Sequence, residues 1–164
     1  HLPPPRGNRL GILTPSGGAA IMALDVLGRY DFRLARLSAD TVGRLQEFWS
    51  PWSTPGNPLD MMSPGVMHGY KRMYSTSLQA MLDDLGVDMV LCIAGIPTLK
   101  TVKGAIEATG RWEKPVVSWA MGRWDEAFLA QLNAVDYRAV FHTPERALRA
   151  MAVVRDFYRR NGLD

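Results

Sequence analysis

From Arg9 onward, short apolar runs alternate with stretches of helical period, and this alternation limits the folds open to the chain. Residues 9–14, 32–37, 89–93, 115–120 and 137–141 read as strands. Residues 18–30, 38–48, 70–85, 98–109, 125–133 and 144–160 read as helices. Strands separated by helices pair in parallel, because each crossover returns the chain to the same edge. The expected fold is therefore α/β, a three-layer, doubly wound, parallel five-stranded sheet ordered 2-1-3-4-5. The run 89–93 is apolar throughout and suits a strand buried on both faces. The run 32–37 alternates apolar and basic residues and suits an edge.

The helices carry their own signals. Ala20, Ile21, Leu24 and Leu27 mark a buried side on the first, and Val42, Leu45 and Phe48 on the second, which Ser38 caps. Tyr70, Met73, Tyr74, Ser77, Leu78, Met81, Leu82 and Leu85 form an unbroken stripe, with Gly86 placed as its terminating glycine. Val102, Ala105 and Ile106 face inward on the next helix. Thr143-Pro144 opens the last helix, with Leu148, Met151, Val154 and Phe157 inward and a stop at Asn161-Gly162. Residues 49–69, rich in proline and glycine, have no helical period and read as a long loop.

Composition excludes several classes. A chain of 164 residues that is 47% hydrophobic and 21% charged is neither disordered nor fibrous and is long enough for one core. Cys92 is the only cysteine, so an internal disulfide and a multi-cysteine zinc site are excluded. No apolar run approaches the ~20 residues of a membrane span, and the default compartment is the cytoplasm. A net charge of +3 is too small to argue for nucleic acid.

Open α/β sheets bind ligands beyond the carboxyl ends of their strands. Those positions are Thr14 with Ser16-Gly17-Gly18, Gly95 after the third strand, and Gly122 after the fourth. Two glycines opening a helix expose backbone N–H groups at its positive end, a natural anion site, although a tight turn alone would also want them. Neither a G-x-G-x-x-G fingerprint nor a Walker A motif is present. Cys92 sits in an apolar strand and reads as a buried hydrophobe. His68, in the long loop, is the one histidine placed for catalysis, and His142 reads as a surface loop residue. Asp83-Asp84 reads as a solvated helix face. Trp49 and Trp52 flank Pro51 and either seal the loop or meet a partner. No catalytic residue and no metal ligand is assigned.

The sequence Gly7-Asn8-Arg9 through Thr14-Pro15-Ser16-Gly17-Gly18, with Asp25 in the helix that follows, resembles the last α-subunit domain of NDP-forming acyl-CoA synthetases. These are the ADP-forming acetate–CoA ligases and relatives of succinyl-CoA synthetase. Ser38-Ala39-Asp40-Thr41, Asn57-Pro58-Leu59-Asp60, Val87-Asp88-Met89-Val90-Leu91, Lys114-Pro115-Val116-Val117 and Thr143-Pro144-Glu145 match further family stretches in order. The resemblance implies a flavodoxin-like domain over residues 7–164, with 1–6 as a linker cut from a longer chain. It implies a ligase that joins an acid to CoA through an acyl phosphate and a phosphohistidine. In relatives the phosphate sits between two helix N-termini from facing domains, and the helix opened by Ser16, Gly17 and Gly18 corresponds to one of them. Thr14, Asn57, Asp60, Gly95 and Gly122 are then candidates to line the site.

CoA, ATP or ADP, and Mg are implied for the full enzyme, with CoA-binding, phosphohistidine and ATP-grasp domains as partners and no activity for this chain alone. Pro15 stands where asparagine is usual, and Ala19-Ala20 where Pro-Gly is frequent. The aromatic stretch around Trp49 and Trp52 and residues 61–69 also diverge, which leaves the acid open and includes a larger or aromatic one. The alternative reading is a stand-alone flavodoxin-like module binding an anion, a nucleotide or a partner protein.

Overall fold

A computed structural model describes residues 2–109, 114–135 and 139–162. In chain order the elements are β1 (Arg9–Thr14), α1 (Gly17–Leu27), β2 (Arg33–Leu34), α2 (Ala39–Gln46), β3 (Leu59–Asp60), α3 (Met62–His68) and α4 (Tyr70–Asp83). They continue as β4 (Met89–Gly95), α5 (Ile96–Thr109), β5 (Val116–Met121), α6 (Glu126–Val135), β6 (Val140–Phe141) and α7 (Pro144–Asn161). The pairs are all parallel and the sheet order is β2-β1-β4-β5-β6, with β3 also on β1. This is the expected doubly wound, flavodoxin-like arrangement.

Two cores flank the sheet. On one face Leu13, Val90, Cys92, Ala94, Val116 and Ala120 pack with α2, α4, α5 and α6. On the other, Leu10, Ile12, Met89, Leu91, Ile93, Val117 and Trp119 pack with α1 and α7. Successive strand residues alternate between the two, as a pleated strand requires. Gly11 lets α4 approach β1, since a Cβ there would lie 2.7 Å from the Met81 sulfur.

Several sequence expectations need correction. The second strand pairs only over Arg33–Leu34, because β1 changes neighbour at its carboxyl half. Residues 49–69 are not all loop: they hold β3 and α3, both too short for a period to be read. On α1 the buried residues are Ala19, Ala20, Ala23, Val26 and Leu27, while Ile21 is 61% exposed. Small side chains bring this helix close to the sheet and turn Ile21 outward. Phe157 is likewise on the outer side of α7, 56% exposed. Leu85 lies beyond the end of α4 and is exposed. Gly86 does not terminate α4 in a left-handed conformation. It is needed because a Cβ there would lie 2.8 Å from the Arg36 carbonyl oxygen. The side chain of Ile106, and Tyr137, lie outside the described residues.

Asp83 and Asp84 separate. Asp83 is exposed and pairs with Arg44, but Asp84 is buried. The Asp84 carboxylate accepts the Ser38 N–H at 2.8 Å and the Gly86 N–H at 2.7 Å, tying the start of α2 to the end of α4. The Asp88 carboxylate accepts the Arg9 backbone N–H at 2.9 Å and the Arg9 guanidinium at 2.7 Å. Burial pushes both carboxyls up, and these donors outweigh it and hold both below the ordinary aspartate range. Their contribution to stability is complete above about pH 4 and is lost as pH falls through that value towards the lowered native ones. Urea midpoints are therefore expected to fall below about pH 4, with a flatter acid limb in an Asp84→Asn, Asp88→Asn double variant. An equally steep limb in the variant would assign the acid loss to other carboxylates.

Candidate functional site

The site is built at the carboxyl end of β1. Thr14 is fully buried, and its hydroxyl donates to the Ser16 carbonyl at 2.9 Å and accepts the Ser16 N–H at 3.0 Å. That pair of bonds folds the strand sharply into the helix. Ser16 is the N-cap, with extended backbone and Oγ accepting the Ala19 N–H at 3.3 Å. Gly17 and Gly18 are the first two helical residues. By helix geometry their N–H groups have no partner within α1, and neither carries a side chain to cover them. The first turn holds no acidic residue of its own.

β3 supplies the flank. Its pairing with β1 sets Asp60 opposite Thr14. Asp60 Oδ1 accepts the Met62 N–H at 2.9 Å and opens α3. Asp60 Oδ2 lies 3.2 Å from where a Cβ on Gly17 would be, whereas a Cβ on Gly18 would meet nothing nearer than Ser16 Oγ at 3.9 Å. Gly18 is the open side of the helix start and Gly17 is the side shared with Asp60.

Asn57 sits behind this edge. Its Oδ1 accepts the Ile12 N–H at 2.9 Å, and its Nδ2 donates to the carbonyls of Leu10 at 2.8 Å and Ala35 at 2.9 Å. The amide takes the place of a peptide group where β1 leaves β2 and joins β3. It holds the sheet together at that point and is committed to backbone groups.

Gly95 ends β4, the strand beside β1, and its carbonyl accepts the Thr98 hydroxyl at 2.9 Å. Gly122 follows β5, one strand further away, at φ +148°. A Cβ there would lie 2.7 Å from the Phe128 ring, so packing explains this glycine. The structure thus brings Thr14, Ser16, Gly17, Gly18 and Asp60 together, places Gly95 on the neighbouring strand end, and leaves Gly122 outside the group.

A groove of about 610 Å³ opens on the far side of Asp60, between the end of α2 and α3. Phe48, Trp49, Met62, Pro64 and Met67 form its apolar walls. Sequence reading flagged Trp49 but not the groove, whose walls come from segments that are contiguous only after folding. Trp52 is 92% exposed and outside it.

Other candidates lie elsewhere. Burial pushes the Cys92 thiol up to about 12, which leaves it inert as a nucleophile. The His68 ring stands edge-on to Phe48 at 5.6 Å, and that of His142 lies 5.2 Å from Trp124. Among the described residues no group of His, Cys, Asp and Glu is arranged to hold a metal ion, and no helix is long and apolar enough to cross a membrane.

Comparison with known proteins adds the family context. No protein-family model matches the chain. It is 30% identical over 151 residues to acetate–CoA ligase (ADP-forming) I of Archaeoglobus fulgidus, covering 91% of this chain and 21% of that protein. It is 30% identical over 108 residues to the α subunit of acetate–CoA ligase (ADP-forming) II of Pyrococcus furiosus, covering 66% of this chain and 23% of that one. Among solved structures, a protein of Pyrococcus horikoshii OT3 superposes with a TM-score of 0.79 at 25% identity, over 96% of this chain and 37% of that chain. The dinucleotide-forming acetyl-coenzyme A synthetase 1 of Ca. Korarchaeum cryptofilum, in complex with phosphate and ADP, gives 0.76 at 25%, over 96% and 34%. The chain is homologous to a segment of about 150 residues of the ADP-forming acetate–CoA ligases. It spans less than a quarter of these curated relatives and about a third of the solved chains.

Proposed function

We propose that the chain works as one domain of an NDP-forming acyl-CoA synthetase and that the start of α1 stabilises a phosphate passed between the enzyme's domains. The observation that carries this reading is the Ser16-Gly17-Gly18 turn, which opens α1 at the carboxyl edge of the sheet with two N–H groups that have no partner within the helix. The helix end carries the equivalent of about half a positive charge and aims hydrogen-bond donors at whatever occupies it. An acyl phosphate and a phosphohistidine both need that kind of stabilisation in a site closed to bulk water. The remaining chemistry belongs to other domains: one holding CoA, one carrying the phosphohistidine, and an ATP-grasp domain holding ATP or ADP with Mg. The isolated chain is inactive and binds phosphate only.

Titrating inorganic phosphate into the isotopically labelled chain tests this directly. The Gly17 and Gly18 amide resonances are expected to move saturably. Failure of both to respond would remove the phosphate role.

Asp60 makes the reading quantitative. Its carboxylate stands beside Gly17 and opposes any anion at the helix start. Asp60→Asn keeps the acceptor for the Met62 N–H and removes the charge. Phosphate affinity is expected to rise about fivefold, equivalent to the ~1 kcal/mol that two unit charges exchange near 4 Å in water. Unchanged or weaker phosphate binding in this variant would place the anion away from Gly17.

A further inference from the structure

We infer that Arg6, Arg155 and Arg159 form a binding site for a phosphate group at the amino end of the sheet. Arg6, Asn8, Asp31, Arg155 and Arg159 line a cavity of about 220 Å³ there. Residues 6–8 lead into β1 and Asp31 into β2, so the cavity lies at the opposite end of the strands from Thr14 and the start of α1. Nothing in this site depends on the reading of α1 as a phosphate cradle. Arg155 is its fixed part. The side chain is 6% exposed, and the guanidinium carbon stacks 4.8 Å from the Phe32 ring centroid. Nε donates to Asp156 Oδ1 at 2.9 Å, and Nη1 donates to the carbonyls of Tyr30 at 2.9 Å and Asp31 at 3.1 Å. Nη2 carries two further N–H donors and has no partner among the described residues. Among those residues the only side-chain polar atom sealed from solvent without a partner is Ser77 Oγ. Nη2 is therefore not sealed, and the open surface that Arg155 lines is this cavity. A guanidinium stacked and bonded on its other nitrogens, with one pair of N–H groups left over, is a preorganised anion donor.

Charge and size select the ligand. Three guanidiniums stand against one lining carboxylate, Asp31, which is 73% exposed and 4.0 Å from Nη1. Asp156 is outside the lining, and counting it as well leaves the balance positive. Such a site favours a dianion over a monoanion. Arg155 and Arg159 stand about one turn apart on α7, and Arg6 comes from the segment before β1. A carboxylate offers two oxygens in one plane. A phosphate group offers three oxygens in three directions and about −1.5 to −2 of charge, enough to engage all three guanidiniums. The volume is below the ~300 Å³ at which sites for drug-sized ligands begin. The phosphate group itself therefore fills the cavity, whether it arrives as inorganic phosphate or on an ester. Bound there, it ties residues 6–8 to the last turns of α7.

The experiment titrates inorganic phosphate, adenosine monophosphate, malonate and acetate separately into the 164-residue chain at constant ionic strength. It reads the Arg155 Nε–H and Asn8 side-chain amide resonances beside the Gly17 and Gly18 amides. Phosphate is expected to move Arg155 and Asn8 saturably and to bind more tightly than malonate. It is expected to bind at least about fivefold more tightly than acetate, the factor that one additional unit charge gives near 4 Å in water. Arg159→Gln is expected to weaken phosphate at Arg155 about fivefold. Arg159 is exposed and makes no hydrogen bond or ion pair among the described residues, so its loss spares the fold. Asp31→Asn is expected to strengthen it by a similar factor, about fivefold, and asparagine tolerates the left-handed backbone of that position, φ 55°. The Gly17 and Gly18 responses stay within about twofold in both variants, since the two ends of the sheet share no ligand.

Adenosine monophosphate binding at least as tightly as phosphate supports the site with an ester as its ligand, and weaker binding supports it with inorganic phosphate. An Arg155 resonance silent to both, malonate or acetate as tight as phosphate, or indifference to both variants each overturns the inference. The two phosphate readings fail separately. A response at Arg155 without one at Gly17 and Gly18 removes the cradle alone, and the reverse removes the arginine site alone.

Discussion

Asn57→Ala is expected to lower the unfolding free energy by about 3 kcal/mol, the cost of leaving buried backbone groups without partners. Three bonds are lost at once: Ile12 N–H to Oδ1, and Nδ2 to the carbonyls of Leu10 and Ala35. The Leu10 carbonyl keeps the Ala35 N–H at 2.9 Å, so the cost concentrates on the Ile12 N–H and the Ala35 carbonyl. Ile12 is fully buried and Ala35 nearly so, which leaves little access for replacement water. Asn57→Asp makes the test sharper. It keeps the shape and the acceptor but sets a carboxylate against two carbonyl oxygens, so it is expected to be at least as unstable as the alanine variant. Urea unfolding of the three proteins measures both differences. A loss below about 1 kcal/mol in both variants would mean that the β1 edge does not depend on this amide.

Asn57 also marks where sequence reading stops. Its three partners lie 22, 45 and 47 positions away, and no local pattern announces them. The general layout was legible because it rests on local signals. The apolar run in β4 predicts a central strand, and β4 lies between β1 and β5. Ser38 and Thr143 predict helix caps, and each side chain accepts the expected N–H. The glycine turn of α1 was legible for the same reason, since a capped helix opened by two glycines is a short-range feature.

What failed was decided by tertiary packing. Size alone puts Ile21 inward, but the sheet takes the alanines of α1 so that the backbone can come close. Asp84 reads as surface beside Asp83, yet the start of α2 folds over it and supplies its donors. β3 and α3 are held by pairing with β1 and contact with α4 rather than by periodicity of their own. The groove follows from those two elements and was invisible with them.

The second large effect concerns function, and Gly18→Glu isolates it from folding. Gly18 is exposed in the first turn of α1 and has open space where a side chain would start. Replacing a helical glycine gains up to about 1 kcal/mol in helix propensity, and a carboxylate in the first turn is favourable to the helix. The thermal midpoint is therefore expected to stay the same or rise. The same carboxylate brings a fixed negative charge to the open Gly18 side of the helix start. Phosphate is then displaced by geometry and opposed by charge. In a ligase reassembled from this chain and the remaining domains, activity is expected to fall at least about a hundredfold, the loss typical when a preorganised anion-stabilising donor is removed. Gly18→Gln separates the two causes. It occupies the same space without the charge, so its activity is expected to lie between those of the parent and the glutamate variant. Full activity in Gly18→Glu, with the fold intact, would mean that the phosphate never meets this helix, and α1 would then owe its two glycines to the tightness of the turn after Thr14.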